Sequence, residues 1–221
     1  MVPPDPEYPG RVTVLAHGPT GWVEQIDLQG ATDAAPALVA VGPDALCAVR
    51  GVEGGTYVAR RTNNRWGDFA VAHGHDSPFG PALAQRENNP HLGICTADDG
   101  AYVTPAAEGG WGTALPLPGN SIATPALAAW RGTMYCAVRG SGANREILLT
   151  QYAGGWVPFA TVPLMETSYA PALAADPNDP AGLLHLAATG LNGNVYVTSH
   201  DGSAWTMPVK LGGTTDGPRP P

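Results

Sequence analysis

The sequence predicts an all-β protein, a β-propeller of four-stranded antiparallel blades, from three signals that share one period. Pro-Ala-Leu begins at Pro36, Pro81, Pro125 and Pro171, with spacings of 45, 44 and 46 residues. A tryptophan series runs through Trp22, Trp66, Trp111, Trp156 and Trp205, spaced by 44, 45, 45 and 49. Short β-prone runs (VTVL, TYVA, AYVT, EILLT and VYVT) place Thr13, Tyr57, Tyr102, Ile147 and Tyr196 nine residues before those tryptophans. Four strands in a unit of about 40–50 residues is the arithmetic of a propeller blade. A leucine-rich repeat is shorter, and helical repeats need a 3.6-residue apolar period that these runs lack.

Each element of the unit has a sequence reason. Proline can open the Pro-Ala-Leu strand, because the first residue of a strand need not donate to the ladder. The second strand reads LCAVRG, GICTAD, YCAVRG and LHLAATG, which sets Cys47, Cys95, Cys136 and Leu186 at one expected position. The Tyr-Val run is the third strand and the Trp run the fourth, with Gly-, Pro- and Asn-rich turns between them. The tryptophan, leucine and tyrosine positions are expected to pack between blades.

These readings give one domain over 1–221, with a partial unit at about 12–28 and complete units at 36–72, 81–117, 125–162 and 171–211. A five-bladed ring with one reduced blade is the expectation, and a four-bladed ring with an extra hairpin is the alternative. A homo-oligomer that completes the partial blade would cover its exposed edges.

Composition narrows the function classes. Of the 221 residues, 43% are hydrophobic and 14% charged, with 29 glycines and 23 prolines, as expected of a folded, turn-rich chain. A formal charge of −8 with eleven scattered basic residues argues against a nucleic-acid partner. No run approaches the roughly 18 apolar residues of a membrane helix, so no membrane partner is expected. The first ten residues, MVPPDPEYPG, lack the basic and apolar regions of a signal peptide. That leaves a cytoplasmic protein or a domain excised from a secreted one. Three cysteines without a Cys-x-x-Cys spacing, one position being shared with Leu186, read as small buried hydrophobes. No metal site and no cofactor are expected.

Strand alternation sorts the loops onto two ends of the blades. The loops after the second strand and the linkers between blades share one end, which is the richer in polar groups. Arg50 and Arg139 stand at one repeat position, with Asp98 and Thr189 near it in the other units. Together with Tyr169, the residues Arg50, Asp98 and Arg139 are the expected ligand-binding set, since a guanidinium fork suits a carboxylate or sugar hydroxyls. A tie to a neighbouring blade is the competing role for both arginines. His73, His75 and Asp76, in a linker whose counterparts carry no histidine, are the acid–base candidates if the chain is an enzyme. The opposite end receives the third-to-fourth turns, among them SHDGSAW (199–205), where Ser199 and Asp201 are expected to close a turn through side-chain hydrogen bonds.

The phrases SIATPALAAWRGTMYCAVRG, AGGW and SYAPALAADPNDPAGLLHLAATGLNGNVYVTSHDGSAW resemble lectin-type β-propeller repeats of bacterial and fungal carbohydrate-binding proteins. The resemblance spans about residues 12 to 215. It implies sugar binding in clefts between or within blades, without catalysis. A lectin with many equal sites would repeat its polar residues along with its scaffold. Here the scaffold repeats and the polar loop residues vary, which suits a single asymmetric site. The expected function is therefore lectin-like binding of a carbohydrate or glycan-like ligand. An enzyme acting on a small molecule at the channel mouth (hydrolase, lyase or cyclase) is the alternative, and a protein-interaction platform is the third.

Overall fold

The computed structural model describes residues 10–19, 21–141, 143, 145–175 and 182–214. The N-terminal decapeptide read above lies, but for Gly10, outside them. An antiparallel hairpin comes first, from β1 (Arg11–Gly18) and β2 (Gly21–Ala31). The first blade follows: β3 (Ala37–Val41), β4 (Asp44–Arg50), β5 (Thr56–Thr62), then a fourth strand in two pieces, β6 (Arg65–Trp66) and β7 (Ala70–His73). The second blade repeats this with β8 (Ala82–Arg86), β9 (Asn89–Cys95), β10 (Gly100–Ala107), β11 (Gly110–Trp111) and β12 (Leu115–Asn120). The third has β13 (Ala126–Trp130), β14 (Thr133–Arg139), β15 (Glu146–Gln151) and β16 (Ala160–Glu166). The fourth has β17 (Ala172–Ala174), β18 (Leu184–Thr189), β19 (Asn194–His200) and β20 (Val209–Thr214). Every pairing within a blade is antiparallel.

The expected fold class holds: four complete propeller blades and one hairpin. The first strands β3, β8, β13 and β17 neighbour one another in that order. Among the described residues, β17 makes no extended contact with β3, nor the fourth blade with the hairpin. The blades therefore form an arc. Burial follows it, with β13 in the middle almost wholly buried and the flanking β3 and β17 half-exposed.

The core lies between blades. Leu46, Ala48 and Val58 of the first blade meet Leu92, Ile94, Tyr102 and Trp111 of the second. Val103 and Leu117 meet Leu127, Cys136, Leu148 and Trp156 in the same way, and Ile147 and Val162 meet Leu186, Tyr196 and Trp205. Each recurrent tryptophan thus faces the preceding blade. Among the described residues Trp22 has none to face; it is 69% exposed, touching His17 edge-on. At the other end Ala187 of the fourth blade is only partly buried, though its counterpart in the third blade, Ala137, is wholly buried.

Register corrects two sequence equivalences. Cys47, Cys136 and Leu186 pair with Leu38, Leu127 and Leu173, and the residue paired with Leu83 is Leu92. Leu92 therefore fills the expected cysteine position, and Cys95 sits three residues further on. Likewise Leu148, which pairs with Thr161 as Tyr196 pairs with Lys210, takes the tyrosine position in place of Ile147. Leu148 faces back to the second blade, and Ile147 faces forward to the fourth. A shift of one residue turns a strand side chain to the opposite face.

Candidate functional site

The polar end of the arc is built from one repeated hydrogen-bond unit. Four residues before each Pro-Ala-Leu stands a serine or threonine: Thr32, Ser77, Ser121 and Thr167. Each hydroxyl bonds the backbone two residues on, as in Ser77 Oγ to the Phe79 carbonyl at 2.7 Å and Phe79 N–H to Ser77 Oγ at 3.1 Å. Equivalent turns occur at Thr32, Ser121 and Thr167. Ser77 and Thr167 also donate to the Cys95 and Thr189 carbonyls at 2.6 and 2.8 Å, fastening each linker to the blade it leads into.

The backbone N–H of the same residues donates back to the preceding unit: Thr32 to Gly10, Ser77 to Gly54, Ser121 to Asp99 and Thr167 to Arg145, at 2.7 to 2.9 Å. All four acceptors have positive φ, at 91°, 94°, 65° and 54°. The second-to-third loop of the fourth blade carries Gly193 in the same conformation. Glycine reaches this region without a Cβ clash, and aspartate tolerates it. Arginine at 145 is the exception, a long cationic side chain where three other units have glycine. Its loop, Gly140–Glu146, is also two residues longer than Gly51–Gly55, Thr96–Gly100 and Gly190–Asn194.

The arginine pair divides in two. Arg50 donates from Nε to the Ser77 carbonyl and from Nη1 to Asp33, a contact that is also an ion pair. Arg139 makes the same Nε bond, to the Thr167 carbonyl at 3.1 Å. The residue in the place of Asp33, next after the linker hydroxyl, is here Ile122. Among the described residues no carboxylate lies within ion-pair reach of Arg139. Burial, then the positive charge of Arg145, hold the Arg139 guanidinium below its ordinary pKa.

The four expected ligand residues do not meet in one place. Asp98 belongs to the loop of the second blade, where it accepts from Thr96 Oγ1 at 2.5 Å. That hydrogen bond, with backbone bonds, holds its carboxyl below the usual range. Tyr169 lies on the linker between the third and fourth blades, beside Arg139 and Arg145. His75 stacks on Tyr102, with ring centroids 5.5 Å apart and an interplanar angle of 6°. Asp76 lies over Gly54, and both His75 and Asp76 are exposed. His73 pairs on β7 with Thr56; its side chain lies outside the described residues.

Among the described residues, clefts open between blades. At the polar end, a groove of about 610 Å³ separates the third and fourth blades. Met165, Tyr196 and Met207 give it apolar walls, while Glu146, Glu166 and Asn192 supply polar groups. Asn192 Nδ2 donates to the Tyr196 hydroxyl at 2.9 Å, fixing both at the rim. At the opposite end, a cleft of about 730 Å³ between the first and second blades is lined by Trp111, Glu108 and the Arg60–Asp44 ion pair. Neither cleft is a motif in the sequence, because its walls come from two units about 45 residues apart. The nearest sequence signal to the first is Arg145 at a glycine position, next to the lining residue Glu146.

The cysteines and the SHDGSAW turn stand apart from this chemistry. All three thiols are free and buried, and burial pushes Cys47 and Cys95 up to about 11 and Cys136 higher still. In the turn, Asp201 Oδ1 accepts from the N–H of Ser203 and Ala204 and from the Ser203 hydroxyl, at 2.8 to 2.9 Å. These bonds hold its carboxyl far below the usual range. The Ser199 side chain does not help to close the turn: its hydroxyl meets His185 Nδ1 across the sheet at 2.7 Å.

No protein-family model matches the chain, and no curated protein matches it. Solved structures do. AofleA from Arthrobotrys oligospora superposes with a TM-score of 0.70 at 10% identity, over 89% of this chain and 64% of that one. BP39L lectin from Burkholderia pseudomallei gives 0.66 at 16% identity, over 86% and 60%. The fucose-specific lectin from Aleuria aurantia gives 0.66 at 10%, over 93% and 72%. The fold is a β-propeller, as in these lectins. An Aleuria aurantia lectin structure with a TM-score of 0.59 is described as six-bladed, which agrees with four blades and a hairpin forming an arc. The chain spans between 60% and 73% of the AofleA and BP39L chains.

Proposed function

We infer that this chain is a non-catalytic carbohydrate-binding protein whose sugar site is the groove between the third and fourth blades. The observation that carries this reading is the groove itself. A sugar ring offers an apolar face and a rim of hydroxyls, and the groove offers Tyr196, Met165 and Met207 beside Asn192, Glu146 and Glu166. A few polar groups converging on an apolar concavity is the usual form of a small-ligand site. The likeness to lectins of the same fold supports the reading, since three of the similar structures are described in complex with fucosides. Against the enzyme alternative, His75 and Asp76 lie exposed on a linker rather than enclosed in a pocket, whereas acid–base catalysis relies on groups set within a water-excluding site.

The test is a glycan array followed by calorimetry on the hits. Asn192→Ala and Tyr196→Phe, which remove the rim hydrogen bond and leave the apolar wall, are expected to weaken a bound sugar by about tenfold. A failure of every glycan to bind at millimolar concentration would sink the reading.

A further inference from the structure

We propose that the linker between the third and fourth blades carries an anion-binding pair, Arg139 and Arg145, which selects glycans bearing a sugar carboxylate. The inference deepens the carbohydrate reading and rests on it. Arg139 and Arg145 donate to consecutive residues, to the Thr167 carbonyl at 3.1 Å and to Ser168 Oγ at 3.3 Å, so both guanidiniums are tethered to one stretch of the linker. The Arg145 carbonyl is itself bonded by Thr167 N–H at 2.9 Å, which fixes the longer loop against the linker. Two positive charges are thus held side by side.

The neighbouring units show what neutralisation looks like in this scaffold. Arg50 makes the same linker bond as Arg139 but has Asp33 on its guanidinium. At the third blade Ile122 replaces that aspartate, and arginine replaces the glycine of other units at 145. Both departures act in one direction. The groove's own acids, Glu146 and Glu166, are not in ion-pair contact with either arginine. An exposed arginine in a left-handed conformation opposes the local backbone preference, and such departures are concentrated at functional positions. A carboxylate is the complementary ligand, because its two oxygens accept paired N–H groups from a guanidinium fork. With the sugar ring against Tyr196, the acid would lie toward the linker.

The test compares methyl β-glucuronoside with methyl β-glucoside, which differ only in the oxidation state of C6, by ligand-observed NMR and calorimetry at low and high salt. The acid is expected to bind at least about tenfold more tightly, with a preference that fades as salt rises. Two variants borrow from the protein's own repeats. Arg145→Gly installs the residue of three other units and should abolish the preference with no loss of thermal stability. Ile122→Asp should quench Arg139 as Asp33 quenches Arg50, with the same loss of preference. Equal binding of acid and neutral sugar would overturn the anion site and leave the sugar groove standing. So would an acid preference that both variants retain, or a stronger preference for glucose 6-sulfate. No binding of either glycoside, nor of any neutral glycan on the array, would remove both readings.

Discussion

Asp33 closes on the Arg50 guanidinium as an ion pair, joining the linker before the first blade to the end of its second strand. Arg50 then reaches on to Ser77 in the following linker, so a single side chain ties two linkers together. In this unit the arginine is a strut. At the third blade the same residue type keeps one tie and lacks the carboxylate, which separates the strut from the proposed binding role at one repeat position.

The linker hydroxyls should contribute strongly to stability. Ser77 is 2% exposed and bonds both the Cys95 carbonyl and the Phe79 backbone. Replacing it with alanine leaves buried backbone groups without partners, at a cost of about 1–3 kcal/mol. Urea denaturation of Ser77→Ala would show a lower midpoint with an unchanged slope.

Two tryptophans should behave in opposite ways. Trp130 is 2% exposed and donates from Nε1 to the Gly182 carbonyl at 3.0 Å. Trp130→Ala is expected to cost about 3–5 kcal/mol. Trp22, with no blade behind it, should cost within about 0.5 kcal/mol when truncated. Thermal melts of the two variants give the comparison, and a large loss for Trp22→Ala would mean that its face is covered in solution.

Mild acid should destabilise the fold through His91. This ring is buried, and burial holds its pKa below the usual histidine value although Nδ1–H donates to the Asn89 carbonyl at 3.0 Å. A depressed folded-state pKa means that the unfolded chain takes up the proton first. The contribution is therefore complete above about pH 6.5, the unfolded value, and is lost as pH falls through the lower folded one. Stability measured from pH 7.5 to 5 should fall less steeply in His91→Gln.

The thiols should be inert until the chain unfolds. Burial raises all three above the ordinary cysteine range, so thiolate is scarce at neutral pH. A chromogenic disulfide reagent should titrate no thiol in buffer and three in denaturant. Fast labelling in buffer would show that a blade opens locally.

The blades were legible in the sequence because propeller scaffolding repeats: proline, leucine and tryptophan mark strand starts and inter-blade contacts at one period. Chemical likeness misled where it was taken for register. Cys95 looks like Cys47 and Cys136, yet the backbone ladder puts Leu92 in their place, since any small or medium apolar side chain fills that site. Ile147 was aligned with the tyrosines for the same reason, although Leu148 occupies their face. Arg139 and Tyr169 could be nominated from their loops, and the structure sets them on adjoining elements. The groove and the Ile122 exchange could not be seen, because each depends on contacts between units rather than on a motif within one.

An arc of blades has two ends, and this has a thermodynamic consequence. In a linear array each unit is stabilised by its neighbours, so the middle units gain two interfaces and a terminal unit only one. The second and third blades are flanked on both sides, and β13 is almost wholly buried. The fourth blade is flanked on one side, and its first strand is half-exposed. Amide hydrogen exchange in this chain should then be graded, slowest in β9 and β14 and fastest in the hairpin and the fourth blade. The proposed sugar groove has one wall on that terminal unit, so a bound ligand would slow exchange across the whole fourth blade and not only at the residues it touches.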